Sequence, residues 1–458
     1  MTERFEIVAK ALTKMLDDKK YATVRDILVT MNPADIAAVF ADMDEERLPL
    51  LFRLLPKETA AETFVEMEPD AQELLIRSFS DNELKQIVDE LYVDDAADLV
   101  EEMPANVVMR ILKQASPEMR KSINQILRYP ENSAGSLMTT EYVSLRPQMT
   151  VEEAILRIRR QGIDKETIYT CYVTKDRKLL GLVTVKDLLL AEDDEMEIEK
   201  IMLTNLISVN THTDQEEVAR MLGKYDFLAL PVVDNENRMV GIVTFDDAMD
   251  VMEDEATEDI EMMGGMLPSE KTYLKSNVFE LFKNRIPWLL LLMLGATFTG
   301  MIINGFETAL AAAPALVAFI PMLMGTGGNS GSQSSVTIIR ALSLGELEFA
   351  DLPRVIWKEI RTAVLCGVAL AIVCFFKVWL VDKLLLGNDD IDLMINAVIC
   401  LAMAVTVLVA KLVGSVLPLA AKAIKVDPAV MASPFITTIV DALSLLVYFL
   451  FAKLLLKL

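Results

Sequence analysis

The chain has 458 residues, 53% hydrophobic and 24% charged, with 68 acidic side chains against 44 basic ones. That length accommodates two to four domains with their own cores. A net charge of −24 argues against a nucleic-acid binder, which needs Lys and Arg to displace counterions from phosphate. The charge is uneven: residues 1–285 hold 57 acids and 33 bases, whereas residues 286–458 hold 11 of each. An acidic water-soluble part joined to an apolar membrane part is the first-order reading, and such a charge attracts cations. The N-terminus MTERFEIVAKALTK has no apolar core of signal-peptide type, so the first half is expected to stay on the side where it is made.

Residues 31–127 repeat with a period of 12, marked by Met31, Met43, Leu55, Met67, Phe79, Leu91, Met103, Ala115 and Leu127. The intervening segments open with Pro, Ser or Asp and end apolar. This predicts short helices, each started by a capping or N1 residue and closed on a buried side chain. Helices too short to bury a core alone must stack, so residues 1–130 are expected to form an acidic α-solenoid.

Residues 136–252 contain a duplication. LMTTEYVSL, TVEEAILRI and CYVTKDRKLLGLVTVKDLLL recur as IMLTNLISV, DQEEVARML and LPVVDNENRMVGIVTFDDAMDVM. Each copy reads strand, helix, strand, turn, strand, helix, with KDRK and DNENR as hairpin turns. Over residues 131–245 this order resembles a tandem pair of CBS domains. The resemblance includes the closing G-x-x-T-x-x-D at Gly181–Thr184–Asp187 and at Gly241–Thr244–Asp247. It implies ATP or another adenine nucleotide at Thr184 and Asp187.

Residues 246–262 are helical in character, with acids at nearly every exposed position and an apolar stripe of Met249, Met252, Ala256 and Ile260. Five nearly uncharged stretches follow: 286–306, 313–339, 362–381, 393–420 and 434–452. Each is about long enough to span a bilayer, which needs roughly 20 residues. Lys271, Lys275, Lys283 and Arg285 precede the first. Arg340, Arg354, Lys358 and Arg361 separate the second and third, and Lys422 and Lys425 the fourth and fifth. The alternate loops, around Glu307 and at Asn388-Asp389-Asp390, are poor in Lys and Arg. The bias predicts a multi-pass protein of the cell (inner) membrane, N-terminus cytoplasmic and C-terminus outside. Lys453 and Lys457 at the C-terminal tip depart from it slightly, and snorkelling absorbs that.

Within the second span, PMLMGTGGNSGSQSS at 321–335 places Pro321, expected to kink the helix, and Gly325, Gly327, Gly328 and Gly331 beside Asn329, Gln333 and four serines. Polar, irregular backbone at membrane depth is tolerated where it is buried or lines a wet cavity. Pore lining is favoured here over a small-residue packing face. In the fifth span Asp441 is the sole charge between Pro434 and Lys453, with Thr437 and Thr438 one turn before it. An intramembrane aspartate is a functional candidate by default. Oxygen-only surroundings suit hard cations such as Mg²⁺, Ca²⁺ or Mn²⁺. Lys411, in the fourth span, reads equally as a salt-bridge partner or a snorkelling side chain. The single histidine, His212, cannot build a His-based metal centre, and the four cysteines show no CxxC pairing.

A repeated acidic helical domain, two CBS modules, an acidic connecting helix and five spans carrying PxxxGxGGNxGxQ together resemble the MgtE family of magnesium channels. The implied fold is a multidomain membrane protein: cytoplasmic α-solenoid, α+β tandem CBS pair, a connecting plug helix over 246–270, then an all-α transmembrane domain of five helices over 271–458. The resemblance implies a Mg²⁺ channel, with Mn²⁺ and Co²⁺ as further candidate ions. It implies a homodimer in the lipid bilayer, with Asp441 of both subunits at the conducting site. Its pore would be lined by Pro321, Gly325, Gly328, Asn329, Gln333, Thr437 and Thr438. It also implies regulatory Mg²⁺ held between cytoplasmic domains and plug. The matching acids are Asp94 and Asp98 on the solenoid, with Asp95 an equal alternative. Asp214, Glu216 and Asp226 match on the CBS pair. On the plug the set is Asp247, Asp250, Glu255, Glu258 and Asp259, with Asp427 in the last cytoplasmic loop. Two other classes remain open: a proton- or Na⁺-coupled transporter, and a nucleotide-sensing receptor without transport. No nucleophile–base set, Walker motif or P-type phosphorylation motif points to an enzyme.

Overall fold

The structure is a computed structural model that describes residues 2–269, 273, 276–388, 390–431 and 433–456. Lys271, Lys275, Asp389 and Lys457 of the charge pattern lie outside the described residues. Two compact units result, Met1–Met252 and Glu253–Leu458.

The first unit opens with ten helices: α1 (Thr2–Asp17), α2 (Tyr21–Leu28), α3 (Pro33–Ala41), α4 (Leu48–Phe52), α5 (Lys57–Val65), α6 (Pro69–Ser78), α7 (Asp81–Val88), α8 (Val93–Glu102), α9 (Ala105–Gln114) and α10 (Pro117–Ile126). The twelve-residue period is the helix period, since each marker from Met31 to Leu127 falls in the gap just after one of α2 to α10. Pro33, Pro69 and Pro117 start their helices, where a missing N–H costs nothing. Ser80 starts α7 with a reciprocal cap to Glu83. Leu55, Met67, Phe79, Leu91, Met103 and Ala115 are buried, and the other three markers pack partly buried against the same core. Helices two apart stack (α3 on α5, α5 on α7, α7 on α9, α8 on α10), which is solenoid packing.

The duplicated segment follows. Its first half holds α11 (Ala134–Leu137), β1 (Tyr142–Leu145), α12 (Val151–Gln161), β2 (Thr167–Lys175), β3 (Lys178–Thr184) and α13 (Val185–Leu189). The second holds α14 (Ile198–Ile201), β4 (Val209–Asn210), α15 (Gln215–Tyr225), β5 (Ala229–Val233), β6 (Met239–Thr244) and α16 (Phe245–Met263). Each half makes a three-stranded sheet in which the first strand runs parallel to the second and the third antiparallel. The copies also exchange segments: Thr139 pairs with Ile242 of β6, and Leu203 with Leu182 of β3. The exchange explains the glycines of G-x-x-T-x-x-D. A Cβ on Gly241 would meet the Thr139 carbonyl oxygen at 2.5 Å, and one on Gly181 the Leu203 carbonyl oxygen at 3.0 Å.

The second unit holds α17 (Val278–Gly305), α18 (Glu307–Ala312), α19 (Ile320–Ser343), α20 (Leu352–Lys377), α21 (Leu393–Ala423) and α22 (Ser433–Leu456). Among the described residues four helical segments are long and apolar enough to cross a membrane: Val278–Gly305, Phe349–Leu385, Leu393–Ala423 and Pro428–Leu456. α19 has 24 residues, but its Asn, Gln, Ser and Gly make it too polar for that set. It packs on both α21 and α22. Pro321 stands in its first turn rather than inside it, so the helix runs unbroken where the sequence had suggested a kink.

The glycines of α19 buy close approach instead. A Cβ on Gly327 would lie 2.7 Å from Ser444 Oγ, and one on Gly331 3.2 Å from the Ala410 carbonyl oxygen. The tightest crossing is at Gly414 of α21, where a Cβ would stand 2.2 Å from the Gly331 carbonyl oxygen. Backbone there cannot move aside without parting α19 from α21. Gly414→Ala is therefore expected to cost about 1–3 kcal/mol, read as a lowered thermal midpoint of the detergent-solubilised protein. Ala at Gly300, with nothing within 4 Å, is the control expected to leave the midpoint unchanged.

Candidate functional site

In the helical bundle, Asp441 projects from α22 toward α19, its Oδ1 3.7 Å from where a Cβ on Gly328 would lie. Thr437, one turn earlier, faces the same glycine. Thr438 instead turns its methyl toward Gly295 of α17. Both threonine hydroxyls donate to the Pro434 carbonyl, at 2.8 and 3.0 Å, so their oxygens remain free to accept. Asp441 is half-buried and has no hydrogen-bond or ion-pair partner among the described residues. On α19, Pro321, Gly325, Asn329 and Gln333 recur every four residues as an exposed stripe, while Gly327, Gly328 and Gly331 on the other side are buried. The packing reading is realised on one face of this helix, while the other face leaves its polar groups uncovered.

Lys411 is buried, so it does not snorkel, and Asp441 is not its partner. Its ammonium donates to Ser334 Oγ at 3.3 Å, and that hydroxyl donates to Glu359 Oε2 at 2.8 Å. One serine on α19 therefore joins a cation on α21 to a carboxylate on α20. Neither Ser334 nor Glu359 was singled out from sequence.

The far end of the acidic helix α16 also belongs to this unit. Met262 and Met263 pack on Ile339 of α19 and on Ala429, and Asp259 accepts from Ser343 Oγ at 3.1 Å. Burial and the Asp427 charge raise the Asp259 carboxyl above its usual range. Glu258 is raised by burial, then by Glu255, Asp427 and Asp259. Glu258, Asp259 and Asp427 thus form a repelling set beside the C-terminal end of α19.

A larger set lies within the first unit. α8 contributes Asp94, Asp95 and Asp98, the start of α16 contributes Asp246, Asp247 and Asp250, and the loops before β1 and β2 contribute Glu141 and Glu166. Burial is the first cause of every shift here, and the strongest charges acting are other carboxylates. Asp95 and Asp98 are pushed to about 7, Glu166 to about 8 and Asp247 to about 6, with Asp94 well above its ordinary value. Asp94 Oδ1 and Glu166 Oε2 are shut off from solvent with no hydrogen-bond partner. Orphaned carboxylate oxygens crowded together are what a cation would satisfy. Among the described residues no group of three or more His, Cys, Asp or Glu side chains is arranged to hold a metal ion directly. The N-termini of α8 and α16 both point their positive dipole ends into the set, softening the repulsion.

These shifts fix a sign. Carboxylates titrate near 4 when unfolded and at about 6 to 8 here, so the folded unit binds more protons across that interval. The stability that these protonated carboxyls contribute is fully present below about pH 4 and is lost as pH rises through about 6 to 8. In metal-free buffer, protease resistance of residues 1–252 should fall from pH 5 to pH 8. Mg²⁺ should restore it at pH 8 and add little at pH 5, because a divalent ion replaces the protons.

The remaining acids have local roles. Asp214 caps α15 by accepting from the Glu216 amide at 3.0 Å, Glu216 pairs with Arg220 at 3.2 Å, and Asp226 ends α15 in the left-handed region at φ 54°. Thr184 and Asp187 form a reciprocal cap on α13, with Thr184 Oγ1 donating to Asp187 Oδ2 at 2.6 Å. A cavity of about 380 Å³ adjoins Asp187, lined also by Leu190, Ala191, Glu192 and Leu203.

Comparison with known proteins agrees with this architecture. The family model MgtE, described as a divalent cation transporter, matches residues 320–451, and that of the MgtE intracellular N domain matches 31–132. The CBS domain model matches twice, at 134–194 and 198–254. The chain is 38% identical over 458 residues to the magnesium transporter MgtE of Thermus thermophilus, covering 99% of each. It is 32% identical over 436 residues to that of Bacillus subtilis, covering 95% of this chain and 94% of that one. Among solved structures, the cytosolic domain of the Mg²⁺ channel MgtE in complex with ATP aligns with TM-score 0.51 at 38% identity. It covers 53% of this chain and 99% of its own. The soluble part of a magnesium transporter aligns with TM-score 0.51 at 30% identity, over 56% of this chain and 100% of its own. With full-length identity at this level and the helical, CBS and transporter regions matched in order, the chain belongs to the MgtE family of divalent cation transporters.

Proposed function

We propose that the chain forms a Mg²⁺ channel that admits the ion down its electrochemical gradient and closes when cytoplasmic Mg²⁺ rises. The observation that carries the reading is Asp441, a carboxylate among apolar helices with no partner among the described residues, beside the uncovered polar stripe of α19. Such a charge is costly unless an ion or water satisfies it. A second copy across a two-fold axis would add a second Asp441 and cover the stripe. Mg²⁺ dehydrates reluctantly, so it meets the carboxylates partly through water. The relatives named magnesium transporters support the choice of ion, and the Lys/Arg pattern supports a cytoplasmic N-terminus.

Closure rests on the two carboxylate sets. Without counter-ions each repels itself; Mg²⁺ bridging them favours the compact arrangement and shifts the equilibrium as far as it binds that state more tightly. The acidic helix reads as the plug because its Asp259 end is already bonded to Ser343 of the pore helix. A nucleotide at Thr184 and Asp187 is consistent with the ATP held by the relative's cytosolic domain. Asp187 keeps Oδ1 for a ribose hydroxyl, while Oδ2 serves the cap.

A divalent cation gains roughly 4.6 kcal/mol per 100 mV of inward-negative potential, twice the single-charge value. Uptake into proteoliposomes should therefore follow an imposed K⁺ diffusion potential, ignore a pH gradient, and fall as Mg²⁺ on the N-terminal side rises. Uptake that tracks the pH gradient at fixed potential would favour a coupled transporter instead.

A further inference from the structure

The strongly acidic chain carries a concave surface of the opposite sign. In the first copy of the duplicated segment a cavity of about 600 Å³ is lined by Arg146, Gln148, Glu153, Arg157, Arg160 and Gln161, among others. Arg146 lies just past β1. Glu153, Arg157, Arg160 and Gln161 fall on one face of α12, opposite Val151, Ala154 and Ile158, which are packed in the core. None of the three guanidinium groups has an ion pair or hydrogen bond among the described residues, and Arg157 Nε is shut off from solvent with no partner. The one acid in the lining is engaged elsewhere, since Glu153 accepts from the Thr150 amide at 3.2 Å to cap α12. Complementing the helix dipole accounts for arginines in the last turn of α12. It does not account for Arg146 in the preceding loop or for the orphaned Arg157 nitrogen.

We propose that this cavity binds a polyphosphate anion, either the phosphate chain of a nucleotide or free inorganic polyphosphate, separately from anything held at Thr184 and Asp187. Planar guanidinium forks bind phosphate oxygens in pairs, and the two glutamine amides add neutral donors. The volume suits a ligand of nucleotide size. Three unpaired positive charges around one cavity repel until an anion enters, so the site discriminates by charge before shape.

The test is calorimetric titration of the full-length protein, in detergent and metal-free buffer of low ionic strength, with inorganic tripolyphosphate, ATP and adenosine. Tripolyphosphate should bind saturably, more weakly as salt rises. Arg157→Gln, and separately the exposed pair Arg146→Gln with Arg160→Gln, should each weaken it about tenfold or more. Arg157→Lys should keep part of the affinity, and Asp187→Asn should leave it unchanged. Arginine-dependent binding of ATP tighter than of tripolyphosphate identifies a nucleotide as the source, and equal affinity identifies the phosphate chain alone. The proposal is overturned if the parent does not bind tripolyphosphate, if the arginine variants bind it as the parent does, or if Asp187→Asn abolishes binding. It is equally overturned if the arginine variants dissociate the protein in light scattering, since the guanidinium groups would then be facing carboxylates of a second copy.

Discussion

Asp441→Asn should reduce Mg²⁺ flux by roughly a hundredfold while the protein still folds. The substitution keeps the side chain's volume and its place against Gly328 and removes only the charge. An uncompensated charge at membrane depth is worth about 3 kcal/mol, and withdrawing it from the ion costs the site a comparable amount, roughly a hundredfold in occupancy. Because Asp441 accepts no hydrogen bond among the described residues, none of their donors is orphaned by the change. Thermal stability should hold or rise slightly. Flux in proteoliposomes at fixed potential, with the melting curve beside it, separates the outcomes. Parent-like flux would remove Asp441 from the conducting site, and a collapsed melting curve would make it a structural residue.

Neutralising the acidic helix should have the opposite effect on activity. Glu255, Glu258 and Asp259 occupy i, i+3 and i+4 positions on α16 and so share a face. Glu258 and Asp259 already feel Asp427, as their raised carboxyls record. Glu255→Gln, Glu258→Gln and Asp259→Ala together should leave Asp427 as the last charge of this set, with no neighbouring carboxylate whose repulsion a bridging ion could relieve. The variant should conduct at Mg²⁺ concentrations that silence the parent. Ser343→Ala is the control, because it removes the hydrogen bond to Asp259 and keeps all the charge. If it alone opens the channel, the bond and not the metal holds the helix. A triple variant that closes like the parent would reduce α16 to a linker.

How much could be read from sequence depended on how far apart the cooperating residues lie. The twelve-residue period and the duplication are local patterns, and each became the expected element, because caps and hairpin turns act within a few residues. Asp441 was legible because a lone charge in an apolar span has few explanations. The carboxylate set of the first unit was only partly legible. Asp94, Asp98, Asp247 and Asp250 came through the resemblance. Glu141, Glu166 and Asp246 went unread because only tertiary folding gathers them. A signal did exist: Glu141 and Glu166 each sit one residue ahead of strands that prove to pair in parallel, Tyr142 opposite Thr167. The partner of Lys411 could not be read, since Ser334 is one of several serines in its segment and only helix packing selects it. Pro321 misled because proline signals a kink or a helix start with equal force, and the exact first turn decides between them.

The segment exchange between the two copies of the β module makes them mutually dependent. Each finishes its sheet with a strand end held by residues that precede the other, so neither copy is a free-standing part. Cutting the chain between α13 and α14 should therefore give two fragments that fold only together. A ligand that tightens one copy also tightens the clamp on its twin, without any relay of side chains between them. In such a pair the duplication sets the size of the cooperative unit at two copies, and a mutation in either is paid for by both.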